Sequence, residues 1–184
     1  MASMNLVELE ADFPLTGSDG RSTDKPHVGE IIHRMLVDLG VERRSDAPDP
    51  YQFEKGFIWE RVLSQAAVAA ERPGEMELDG ILLSPDGVGY DAALGEAVVE
   101  EYKCTARSST LEPTDVVAWM MQTKAYCKAV GTRFCVFRIL HLNGDYRSVR
   151  TPTPRTWRVE FTQAEVDANW DAIVRYARER GLLQ

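Results

Sequence analysis

Apolar residues recur at Val28, Ile31, Ile32, Met35, Leu36 and Leu39, the spacing of one helix face, and Gly40 supplies a stop. A helix is predicted over 28–40, after an irregular segment over 1–25 rich in turn formers. A second, longer helix is predicted over 51–71, ended by Pro73 and Gly74. The period then shortens. "MELDGILLS", 76–84, alternates before turning apolar and reads as one strand; "PDG", 85–87, reads as a turn, and 88–93 as the strand pairing back in a hairpin. "EAVVEEYKC", 96–104, is a third strand. A helix follows over 113–131, with Pro113 at its start and Gly131 at its end. A strand is expected over 133–142, with "YRSVR", 146–150, as its hairpin partner, and another over 155–161. The last helix, 162–181, carries a capping box in Thr162 and Glu165 and a stop in Gly181. This order predicts an α/β fold, a mixed sheet flanked by helices.

The pattern breaks in the third strand. Val98 and Val99 open a buried run, but Glu100, Glu101 and Lys103 follow at once. Alternation sets Val99, Glu101 and Lys103 on one face and Val98, Glu100 and Tyr102 on the other. Asp79 is expected on the adjacent strand, where Gly80 allows close approach. Two dry carboxylates on neighbouring strands repel, and a divalent cation with hard-oxygen preference offsets that repulsion. A lysine beside them can hold or deprotonate an attacking water, the arrangement of metal-assisted phosphodiester hydrolysis. The competing reading is an ion pair of Asp79 or Glu101 with Lys103 at a sheet edge. On the helices, Glu60 stands one turn after Gly56. Gln122 and Tyr126 stand one turn apart, with Trp119 on the same stripe, which suits a sugar–phosphate chain or unstacked bases.

Composition adds limits. With 184 residues, 44% of them hydrophobic, the chain fits a single domain, 1–184. No apolar run reaches ~18 residues, so no membrane span is expected, and the acidic N-terminus lacks the order of a signal peptide, which points to the cytoplasm. Three cysteines, Cys104, Cys127 and Cys135, leave a four-cysteine iron–sulfur site one ligand short, so no cluster is expected. The net charge of −8 argues against nucleic acid, but its distribution argues for it. Residues 1–103 carry nine basic and 21 acidic side chains, whereas 104–158 carry nine basic and three acidic. That +6 block, Arg107 among its members, is a candidate phosphate-binding surface.

Gly56 and Glu60 in "GFIWE", Asp79 in "ELDG", Glu101 and Lys103 in "EEYK", and Gln122 and Tyr126 in "QTKAY" follow one another in an order that resembles the PD-(D/E)xK nucleases, specifically the RecB-like and lambda-exonuclease-like (YqaJ-type) branch. The resemblance covers roughly 51–142. It implies a restriction-endonuclease-like αβββαβ core and one or two Mg2+ or Mn2+ ions. Asp79 and Glu101 would be metal ligands, Glu60 a direct or water-mediated one, and the Tyr102 peptide oxygen the backbone ligand. Lys103 would activate water, and Gln122 and Tyr126 would support the site and touch DNA. The implied activity is that of a DNA exonuclease in phage or mobile-element recombination or DNA processing, with a recombination or single-strand-binding protein as a further partner and oligomers within the family's range. The alternatives are a structure-selective or single-strand endonuclease, and a catalytically silent DNA-binding module with the same fold.

Overall fold

The computed structural model describes residues 24–43, 56, 58, 59, 61–63 and 70–183. Helix α1 spans Val28–Asp38 and buries Val28, Ile31, Ile32 and Leu36, the stripe its spacing predicts. Residues 56, 58, 59 and 61–63 are helical, but the predicted helix does not run to 71. Ala70–Glu71 form a short strand, β1, antiparallel to a strand edge further along the chain. Helical periodicity reports on local spacing and cannot register an edge open to pairing.

The single strand expected over 76–84 is two strands, β2 (Met76–Leu78) and β3 (Ile81–Leu83), paired antiparallel as a separate hairpin. Asp79 and Gly80 form its two-residue turn, both with positive φ (52° and 81°), the signature of a type I′ hairpin. Leu82 also bridges to the chain ahead of α1, donating its N–H to Pro26 O.

Strand β4 (Gly87–Asp91) therefore does not pair back on 76–84. It lies antiparallel to β5 (Glu96–Thr105), with Gly87 opposite Glu100. A 3-10 turn at Pro113–Asp115 leads into α2 (Val117–Val130), which returns the chain to β6 (Phe134–His141), parallel to β5. Strand β7 (Thr153–Glu160) is antiparallel to β6. Residues 146–150 are not that partner. The Asp145 carboxylate accepts hydrogen bonds from the Arg147 and Val149 amides and the Ser148 hydroxyl, winding this stretch into its own loop. Helix α3 (Gln163–Glu179) closes the fold with the predicted reciprocal Thr162–Glu165 cap. The five-stranded mixed sheet has the order β1-β4-β5-β6-β7.

Val99, Cys135, Phe137 and Ile139 share one sheet face, because paired residues project to the same side. They pack with Ile31, Ile32, Ala125, Tyr126, Trp170 and Ile173 of the three helices in one core, and Trp119 stacks on Phe137. Cys127 and Cys135 are buried members of that core; burial pushes the Cys127 thiol up to about 12. Among the described residues no helix is long and apolar enough to cross a membrane.

Candidate active site

Strand β5 alternates as its sequence predicts. Glu101 and Lys103 face the helices; Glu100 faces away, and both its oxygens accept from Arg138, at 2.7 and 3.0 Å. Glu101 is 2% exposed and ion-paired with the Lys103 ammonium. Lys103 also reaches Gln122 Oε1 at 3.5 Å, and Gln122 Nε2 donates to the Tyr126 hydroxyl at 2.6 Å. Four of the predicted site residues thus form one chain of polar contacts between β5 and α2. Burial pushes the Lys103 pKa down, but the carboxylates of Glu101 and Asp86 outweigh it, and the net shift is upward.

Asp86 is the acid that sequence reasoning missed. The β4–β5 ladder stops at Gly87 opposite Glu100, and one further step of that register sets Asp86 opposite Glu101. The next amide on the vacated edge belongs to Tyr102, and it donates to Asp86 Oδ2 at 2.7 Å. In a strand a residue's N–H and C=O leave toward the same edge, so the Tyr102 carbonyl also lies on the Asp86 side. The signal was in the sequence: "SPDG" puts a Pro-Asp pair directly ahead of the strand that pairs with "EEYK".

Asp79, predicted on a strand adjacent to Glu101, is not there. It sits on the exposed turn of the β2–β3 hairpin, where its carboxylate accepts from the Trp170 indole at 2.7 Å, in a surface hollow shared with Asp171, Arg175 and Arg178. The cause is the type I′ turn, which splits the expected strand and takes its pairing away from the main sheet. Glu60 lies outside the described residues. Tyr126 is predicted to offer its ring to DNA, but the ring is buried in the core and only its hydroxyl meets the site, through Gln122. Arg107 is exposed beyond the end of β5, its carbonyl in contact with His141 Nδ1 at 3.0 Å.

The donor chemistry fits a hard divalent cation. Asp86 and Glu101 bring two carboxylates, Tyr102 a peptide oxygen, and Lys103 one compensating charge, leaving the group net negative. Among the described residues no group of three or more acidic, histidine or cysteine side chains is placed to hold a metal ion; the described residues bring two carboxylates, Asp86 and Glu101, to the Lys103 ammonium.

No family model and no curated protein matches the chain in sequence. Solved structures do match in shape. The crystal structure of SSO0001 overlays with a TM-score of 0.51 and 13% identity, covering 85% of this chain and 78% of that one. LHK-Exo, an alkaline exonuclease from Laribacter hongkongensis, solved in complex with dAMP, overlays with a TM-score of 0.50 and 16% identity, covering 83% of this chain and 76% of that one. With its mixed sheet flanked by helices and the Glu-x-Lys strand β5 paired on both sides, the chain has the nuclease fold of these solved structures.

Proposed function

We propose that the chain is a metal-dependent deoxyribonuclease whose reacting centre is Asp86, Glu101 and Lys103, with the Tyr102 carbonyl, and with Gln122 and Tyr126 in support. The observation that carries this reading is the Asp86 carboxylate on the Tyr102 amide, beside the buried Glu101–Lys103 pair. An exonuclease of matching fold solved with a deoxynucleotide supports DNA as the substrate and end-directed cleavage as the mode. A role in phage or mobile-element recombination belongs to the same reading.

In this reading Asp86, Glu101 and the Tyr102 carbonyl would hold Mg2+ or Mn2+, with Glu60 as a further ligand, direct or through water. The bound cation supplies Lewis-acid polarisation of the phosphate and a more acidic water. Lys103 would hold and orient the attacking water and offset the charge that develops on the phosphoryl oxygens. Gln122 fixes the Lys103 ammonium, and the Tyr126 hydroxyl fixes Gln122. The test is a panel of linear and circular, single- and double-stranded DNA with Mg2+, Mn2+ or chelator. Metal-dependent loss of linear DNA with circles spared is expected. Nicking of circles would replace the exonuclease with an endonuclease, and inertness on every substrate would leave a DNA-binding module.

A further inference from the structure

The basic residues of 104–158 fall into two groups, apart from Lys124, which lies over the Phe161 ring. Lys128, Arg133, Arg138 and Arg158 are ion-paired with Asp167, Glu160, Glu100 and Asp91, so their charge is offset within the fold. Among the described residues Arg107, Arg147, Arg150 and Arg155 have no carboxylate partner, the Arg155 guanidinium lying over the Trp157 ring, and all four stand at one end of the sheet. The loop after β5 and the loop between β6 and β7 are laced together there. Ser109 N donates to Gly144 O at 2.8 Å, Leu142 N to Thr105 O at 2.9 Å, and the Arg155 guanidinium to Ser109 O at 3.2 Å.

This end continues from the reacting centre. Lys103 is opposite Ile139, and Ile139 is opposite Arg155, so Lys103 and Arg155 share a sheet face and a row. Two strand spacings separate them, about 10 Å. Arg107 lies four residues beyond Lys103.

The β6–β7 loop presents an aromatic ring among these charges. Tyr146 is 47% exposed and held at φ 64°, a backbone region that non-glycine residues rarely occupy. The surroundings impose that shape. Asp145 N donates to Val149 O, the Asp145 carboxylate is bound by three donors of the same loop, and a Cβ on Gly144 would stand 2.2 Å from Val149 O. Asp145 is the one acid in the segments 105–109 and 141–155, and it points into its own loop.

We infer that Tyr146 and Arg147, Arg150, Arg107 and Arg155 form a binding track for a single nucleic-acid strand on its way to or from Lys103, with Tyr146 as a stacking platform for an unpaired base. The inference rests on the nuclease reading for the chemistry of its ligand. An exposed ring on a braced loop loses little freedom on stacking, and guanidinium groups flanking it meet successive phosphates.

The experiment measures binding of a fluorescein-labelled, mixed-sequence single-stranded oligodeoxynucleotide by anisotropy, in chelator, across a salt series. Tyr146→Ala is expected to weaken binding by roughly one to two decades and Tyr146→Phe to retain most of it. Arg147→Gln with Arg150→Gln is expected to flatten the log–log salt slope by about 0.7 for each phosphate no longer neutralised. Arg133→Gln with Arg158→Gln should keep the wild-type slope. Wild-type slope in the Arg147/Arg150 variant, or equal losses for Ala and Phe at Tyr146, overturns the inference. A loop-dependent affinity in a protein that cuts no DNA would sink the nuclease reading and leave the track standing; cleavage by the wild type with binding indifferent to the loop would do the reverse.

Discussion

Glu100 and Glu101 are neighbours on one strand, both buried, and they hold their charges differently. Glu100 meets a guanidinium fork that fills both its oxygens across two strands. Such a planar, bidentate pair is closed and directional. Glu101 meets an ammonium two residues along its own strand, and that ammonium is shared with Gln122. A lysine is a compact charge with three rotatable donors, able to exchange partners when a phosphate or water arrives. One strand thus carries a structural ion pair on one face and a chemically adaptable one on the other.

The sharpest way to break the comparison is to neutralise each glutamate. Glu101→Gln is expected to lower DNA cleavage by roughly 10³-fold or more, about 4 kcal/mol of barrier at 1.36 kcal/mol per decade, and also to lower the melting temperature, because it leaves the buried Lys103 ammonium less compensated. Glu100→Gln should leave cleavage within a few-fold and instead cost about 1 kcal/mol in denaturant unfolding, since Arg138 is partly exposed and can turn to solvent. Equal activity losses would erase the distinction between the two faces.

Next in size is Lys103→Ala, with an expected rate loss of roughly 10²-fold, the scale of one lost electrostatic donor to the transition state, and nearly unchanged DNA affinity measured in chelator. If weakened affinity accounts for the whole defect, Lys103 is a phosphate clamp. Its raised pKa also fixes a sign. The folded state favours the ammonium, so this stabilisation is complete below the unfolded lysine value, about 10.4, and is lost as pH climbs through the raised folded value. Urea unfolding of wild type and Lys103→Met should therefore differ most near neutrality and converge in strong alkali.

The smallest effect separates Tyr126 as ring from Tyr126 as hydroxyl. Tyr126→Phe removes the bond to Gln122 and should cost roughly tenfold in rate, the usual size of a supporting hydrogen bond, with stability nearly kept. Tyr126→Ala opens a core cavity and should cost about 3–5 kcal/mol of stability. A Tyr126→Ala protein that is stable but fails to bind DNA would return the ring to the DNA surface.

Much of this was legible from local pattern. The stripe of α1, the Thr162 cap, the alternation of β5 and the Gln122–Tyr126 turn all depend on spacing within one element. Strand pairing is non-local, and there the sequence is ambiguous. Asp79-Gly80 and Asp86-Gly87 are the same dipeptide, each ahead of a short apolar run. The first makes a hairpin that leaves the main sheet; the second delivers β4 to β5 and its aspartate to the Tyr102 amide. Only the register tells them apart. Likewise "YRSVR" has strand-like alternation, but the Asp145 side chain outcompetes the ladder for its amides, and β6 takes Thr153–Glu160 as its partner instead.

The measurement that bears most directly on the reacting centre sets the two aspartates side by side: cleavage of linear DNA in Mg2+ by wild type, Asp86→Asn and Asp79→Asn. Each asparagine keeps an oxygen for the hydrogen bond its parent accepts, from the Tyr102 amide or the Trp170 indole, so the local structure survives and only the charge is removed. Loss of cleavage by roughly 10³-fold in Asp86→Asn, with Asp79→Asn within a few-fold of wild type, is the predicted result. Full activity in Asp86→Asn, with cleavage abolished in Asp79→Asn, would contradict it.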